Sequence, residues 1–287
     1  MFRHLRNEAI IQFELETAAP LLIASGDAAS IDPLASNLTF VRGKLHGIEV
    51  PYMPGSSLKG VFRSRYEQLG EFLGKSACDA MNACDRKLPV MDGHTEKGTI
   101  LYHNSCMACR LFGNRYLGAR IAFADAYPKE GTKVSMGEHR SVAIDRITGA
   151  IKPGALFEYE VVESGCFTVT CKVQNFALYQ LRLFLWILQD VQEGYVTFGR
   201  WSSRGNGIMH VKNVTLHYRV FGSAAPIYAQ GYEKADIGKK KLMWEQDLIA
   251  YTHRAQGLDH IIDELGIHTR EELQISMKRE RFGVRLK

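Results

Sequence analysis

The chain has 287 residues, 46% of them hydrophobic and 23% charged, with 36 Lys and Arg against 31 Asp and Glu. That length supports a large buried core in one domain or two, and an excess of +5 permits a nucleic-acid partner without demanding one. No stretch approaches the roughly 18 apolar residues of a membrane span, and Met1-Phe-Arg-His-Leu-Arg6 lacks the apolar core of a signal peptide, so a cytoplasmic protein with no membrane partner is expected.

Ile11, Phe13 and Leu15 alternate with Gln12, Glu14 and Glu16, the period of a strand buried on one face. Residues 20–51 show little periodicity and predict a long loop ending in a short extended piece, Ile48 to Met53. Tyr52-Met-Pro-Gly-Ser-Ser-Leu-Lys-Gly-Val-Phe-Arg-Ser-Arg65 then turns into a helix from about Ser57 to Phe72, with Leu58, Phe62, Tyr66 and Leu69 on one face. Ser56 or Ser57 is a candidate cap, and the free N–H groups of the first turn stand near Lys59, Arg63 and Arg65. Two readings stay open for this stretch, a phosphate cradle and a capped surface helix with a solvated basic face.

Residues 74–110 read as an irregular polar insertion carrying cysteines. A strand is predicted at Arg120 to Ala124, a long hairpin over residues 133–163, a strand at Cys166 to Val173 and a buried helix from Phe176 to Asp190. Val214, Leu216, Tyr218 and Val220 mark a final strand. The order strand, helix, strands, helix, strand predicts an α+β fold of the ferredoxin-like or RNA-recognition type over residues 1–221. Beyond it, residues 231–287 are charged and helical in pattern, with a capping box at Thr269 and Glu272, so residues 222–287 are predicted as a helical C-terminal extension.

Six cysteines are too sparse for a disulfide scaffold, and four of them cluster. Cys106-Met-Ala-Cys109 has the spacing of two ligands on a tight turn, and Cys78 and Cys84 complete a tetrahedral zinc set provided the chain between those two is a loop. His94 and His103 are the substitute ligands; four unrelated buried thiols are the other reading. Cys166 and Cys171 fall on opposite faces of one strand and read as core. In Gly199-Arg-Trp-Ser-Ser-Arg-Gly-Asn-Gly207, glycines allow close approach to a phosphate chain, Arg200 and Arg204 supply charge, and Trp201 offers a stacking surface. A plain connecting loop remains the alternative. Neither glycine segment ends in the Gly-Lys-Ser/Thr of a nucleotide-binding loop.

Four motifs in order, Pro54-Gly-Ser-Ser-Leu-Lys-Gly60 with Arg63, Arg110-Leu-Phe-Gly113, Ile144-Asp-Arg-Ile-Thr148 and Ser203-Arg-Gly-Asn-Gly207, resemble the signature of the RAMP superfamily. Within it they resemble the backbone subunit of type III CRISPR effector complexes, and the cysteine insertion resembles that of zinc-bearing variants. The resemblance implies a modified RNA-recognition fold that polymerises head to tail along a guide RNA, with other effector subunits as partners. It implies guide-backbone contacts at Ser56, Ser57, Lys59 and Arg63, an RNA-binding loop at Arg200, Arg204, Gly205 and Gly207, and a thumb hairpin near Arg146 that kinks the guide and target duplex. In members that cut target RNA an aspartate sits after the first strand, shortly before a proline, and Ser30-Ile-Asp32-Pro33 occupies that place.

Asp32 is therefore the expected catalytic residue, accepting a proton from the attacking 2′-hydroxyl or holding magnesium at the scissile phosphate, with Asp27 able to share the metal. Turn chemistry before Pro or Gly is the competing account of both aspartates. Two other functional readings stand beside this endoribonuclease: a purely structural RNA-binding backbone, and a stand-alone RNA-processing endonuclease using His210.

Overall fold

A computed structural model describes residues 5–24, 38–72, 77–78, 84, 97–221 and 249–265. The first strand, β1 (Asn7–Thr17), buries Ala9, Ile11, Phe13 and Leu15 almost completely, as its alternation requires. It lies at the centre of an antiparallel sheet, between β8 (Cys166–Gln174) and β9 (Met209–Phe221). Beyond β8 come β4 (Ile121–Phe123) and β5 (Tyr127–Pro128), and beyond β9 comes β10 (Ile249–Gln256). Helix α1 (Gly55–Phe72) follows β1, and α4 (Leu178–Gln192) follows β8. A strand order of β9, β1, β8, β4 with two connecting helices is the ferredoxin-like arrangement, extended by one edge strand.

The two helices share one core with the inner face of the sheet. Phe62 of α1 is its hub, with ring centroids 6.0 Å from Phe13, 5.2 Å from Phe123, 5.1 Å from Phe184 and 6.0 Å from Phe198. Contacts of this kind add about 0.5–1.5 kcal/mol each to the area they bury. The opposite face of the sheet is polar and ion-paired: Glu8 meets Lys172 and Arg219, Glu14 meets Lys129, and Glu16 meets Lys212. Cys171 packs inward with Val169 and Val173, whereas Cys166 lies on the other face with its thiol 3.7 Å from Glu14.

Three sequence expectations are corrected. The expected long loop over residues 20–51 contains a hairpin, β2 (Arg42–Leu45) and β3 (Ile48–Pro51), joined by His46 and Gly47, both at positive φ, the tight turn that matches strand twist. Four-residue strands are too short to show a period. The insertion holds two short helices, α2 (Lys97–Asn104) and α3 (Met107–Phe112), which tertiary contacts rather than periodicity stabilise. The C-terminal extension, expected to be helical, supplies β10 before the helix α5 (Leu258–Leu265). Ile249-Ala-Tyr-Thr-His-Arg-Ala-Gln256 alternates weakly, and it pairs because β9 offers a free edge. Ile261 and Ile262 of α5 join the main core beside α4, which explains why α4 is apolar nearly all round.

From the sheet's rim projects a second hairpin, β6 (Ser135–Ile144) and β7 (Ile151–Ser164). Its outer half exposes Val142, Ile144, Ile147, Ile151, Leu156 and Phe157.

Candidate RNA interface and metal centre

The first turn of α1 is built by packing. A Cβ on Gly55 would stand 2.6 Å from the Phe123 carbonyl oxygen, so only glycine lets the helix begin against β4. The Gly55 N–H donates to Asp125 Oδ1 at 2.8 Å, so Asp125 caps the helix and the expected serine cap is replaced. Ser56 and Ser57 lie inside the first turn and are exposed. Lys59, on the next turn, is held below the usual lysine range by burial and by Arg63 beside it, an environment that a bound anion would relieve. Arg63 turns inward: it donates to Glu67 at 2.8 Å and to the Gly113 carbonyl at 3.0 Å, with Cys109 Sγ at 3.7 Å.

Arg63 thereby ties α1 to the cysteines. The sulfurs of Cys78, Cys84, Cys106 and Cys109 all lie within 4.8 Å of one another, and all four are free thiols. Cys78 and Cys109 stand 3.3 Å apart, and the backbone N–H of Cys106 donates to Cys84 Sγ at 3.1 Å. Hydrogen bonding from Cys109 pulls the Cys106 thiol down to about 4, while burial helps push Cys84 up to about 11. Four thiolates this close repel one another, and a divalent cation is what lets all four ionise. The set fits a metal ion and is compatible with structural zinc; the Arg63 guanidinium offsets part of the remaining negative charge. His103 is outside this group, and His94 lies outside the described residues.

Arg110-Leu-Phe-Gly113 supports that centre. Arg110 is buried and donates to the carbonyls of Tyr102 and Ser105, both at 3.0 Å, and of His103 at 2.7 Å, closing the C-terminus of α2. Leu111 and Phe112 enter the core, and Gly113, at positive φ, ends α3.

The glycine-rich loop meets the end of β1 and the base of the β6–β7 hairpin at one junction. Leu22, Tyr159 and Val161 form a small second core there, with Ala24, Leu38 and Trp201 against it. The Arg200 N–H donates to the Leu22 carbonyl and the Gly207 N–H to the Pro20 carbonyl, each at 2.8 Å. Cβ atoms on Gly199 and Gly207 would overlap the carbonyl oxygens of Leu22 and Phe198. Those glycines serve close approach of the chain to itself, and around Gly205 alone of the three the described residues leave open space. Arg200 and Arg204 are exposed. Asn206 is buried, and its Nδ2 has no hydrogen-bond partner among the described residues.

Asp32 and Asp27 lie outside the described residues, but the chain on either side of them is fixed at this junction. Ala24 bridges Phe40, Leu38 bridges Tyr159, and the Glu160 N–H donates to the Leu38 carbonyl at 2.9 Å. Glu160 also accepts from the Phe40 N–H at 2.9 Å and pairs with Arg42. Glu160 and Asp125 carry this architecture and escaped the sequence reading, and Arg110, read there only as part of a motif, had no role assigned. Partners of Glu160 are about 120 residues away in sequence, and no local pattern marks them.

At the tip of the β6–β7 hairpin, Asp145 Oδ1 accepts from the N–H groups of Thr148 and Ile147, both at 2.9 Å, which holds its carboxyl below the usual range. This Asx turn explains the Ile144 to Thr148 motif and leaves Arg146 exposed beside Ile147. His210 is exposed at the start of β9, paired across from Glu16 of β1.

No helix among the described residues is long and apolar enough to cross a membrane. The profile of one family, the RAMP superfamily, matches residues 14–210. No curated protein matches the chain.

Proposed function

We propose that this chain, which belongs to the RAMP superfamily, is a guide-RNA-binding backbone subunit of a type III CRISPR effector complex. The junction carries this reading. It gathers the exposed cations of the glycine-rich loop, the base of the projecting hairpin and both flanks of the segment bearing Asp32. Ser56, Ser57 and Lys59 hold guide phosphates from the start of α1, with Arg63 behind them fixing the helix to the cysteine centre. Arg200, Arg204 and Gly205 form the second contact with the guide, with Gly207 behind them packing the loop against the chain. Contacts of this kind position the backbone and leave discrimination to base pairing.

The β6–β7 hairpin acts as a thumb, with Arg146 and the exposed Ile147 at its tip against the guide and target duplex. Further copies of the chain stack along the guide, and residues 222–287 contribute to contacts with neighbouring subunits. The cysteine insertion carries structural zinc, as in the zinc-bearing variants.

Asp32 cuts bound target RNA in this reading, assisting the attacking 2′-hydroxyl. Magnesium, when bound, would supply charge stabilisation at the scissile phosphate. The test is target cleavage by the assembled complex carrying Asp32→Ala. Loss of cleavage with unchanged guide and target binding is the expected result. Unchanged cleavage would assign cutting to another protein and leave this chain a structural backbone.

A further inference from the structure

We infer that Trp201 is a positioning residue that holds Arg204 for a phosphate, and that its indole is not a platform for a base. The inference rests on the RNA-binding reading above and deepens it. Trp201 is a bulky residue at φ +60°, a backbone region that L side chains rarely adopt. What holds it there is visible on both sides. Its ring meets Tyr159 with centroids 4.1 Å apart at 72°, and Tyr159 is itself set by the Ser141 hydroxyl at 3.4 Å and the His139 ring at 5.8 Å. The Trp201 carbonyl accepts from the N–H groups of Arg204 at 2.9 Å and Asn206 at 3.4 Å, which winds Ser202–Arg204 into a tight turn.

That turn brings the Arg204 guanidinium over the indole, 5.4 Å from the ring centroid. Arg204 is exposed, and among the described residues no carboxylate pairs with it. The half-buried indole already carries a phenol and a cation, so a base stacking on the face that the cation covers would have to expel Arg204. An arginine held over a ring loses less freedom on meeting a phosphate than one waving in solvent. The same contact links the loop to the base of the β6–β7 hairpin through Tyr159.

Binding of the full chain to an unstructured guide-length RNA, measured across a salt series, tests this. Arg204→Ala should make the dependence of log K on log salt shallower by about 0.7, the share of one single-strand phosphate contact. Trp201→Ala should produce the same reduction, and the double variant should bind no more weakly than either single one. Trp201→Phe, which keeps a ring beneath the guanidinium, should retain the original slope. Weaker binding by Trp201→Ala with an unchanged slope, or losses that add in the double variant, would overturn the inference in favour of stacking.

Should Trp201→Ala fail to fold, tryptophan fluorescence of the unaltered chain against Trp201→Phe decides. A small change in the Trp201 contribution at saturating RNA supports positioning, and strong quenching refutes it. If the unaltered chain binds no RNA at any salt concentration, the RNA reading itself falls and this inference falls with it.

Discussion

Alanine at Gly207 and alanine at Gly205 separate the two reasons for a glycine in this loop. Both residues have positive φ, +84° and +88°, so each substitution carries the roughly 1–2 kcal/mol that an L side chain costs in the left-handed region. At Gly205 no atom of the described residues, its own chain neighbours aside, lies within 4 Å of the added carbon, so nothing else among them opposes a methyl group. At Gly207 the methyl would overlap the Phe198 carbonyl, and relieving that overlap disturbs two hydrogen bonds. These are Phe198 N–H to the Gly207 carbonyl at 2.9 Å and Gly207 N–H to the Pro20 carbonyl at 2.8 Å. At about 0.5–1.5 kcal/mol each, they bring the expected cost of Gly207→Ala to about 2–5 kcal/mol. Urea unfolding of both variants measures the difference. RNA affinity should reverse the order: a methyl at the exposed Gly205 stands where a phosphate oxygen approaches, and about a tenfold loss is expected, the value of one charge-assisted bond. Equal stabilities would refute the claim that Gly207 is there for chain packing, and undiminished RNA binding by Gly205→Ala would refute the approach of phosphate at that point.

The cysteine centre and the polar sheet face give two further tests. Cys106→Ser should lose stoichiometric zinc and lower the melting temperature, and a strong chelator should destabilise the unaltered chain while leaving the variant nearly unchanged; a chelator without effect on the unaltered chain contradicts the metal assignment. Glu8 has only 5% of its side chain exposed, and although burial raises its pKa, bonds from Lys172, Gln174 and Arg219 outweigh that and hold it below the ordinary value. Its contribution is therefore complete above the ordinary carboxylate pKa and is lost as pH falls through the lower folded value. Glu8→Gln should cost about 1–3 kcal/mol at neutral pH and flatten the acid limb of the stability profile, and an unchanged acid limb would refute this sign.

How much of this could be read in advance depended on whether the determining contact was local. The alternation of Ile11, Phe13 and Leu15 and the near-continuous apolar run of α4 were legible because burial on a regular element writes its own period. Cys78, Cys84, Cys106 and Cys109 were legible because few chemistries call for four thiols, and the structure brings their sulfurs together. β10 was not legible, since a weakly alternating segment becomes a strand only when β9 offers its edge. Nor was the cap of α1, which comes from Asp125, 70 residues downstream of Gly55. The glycine-rich loop was recognised by composition, yet two of its glycines answer to carbonyls of this same chain. Composition cannot distinguish a backbone that crowds itself from one that makes room for a ligand.

The central claim is that this chain tracks a guide RNA by its backbone. Its most direct test is to purify the full chain from cells that supply its guide transcripts, extract any bound RNA, and map the nuclease-protected positions. The account predicts guide-length RNA protected at regular intervals, released steeply as salt rises. Protein free of RNA, or RNA whose retention is indifferent to salt, would contradict it.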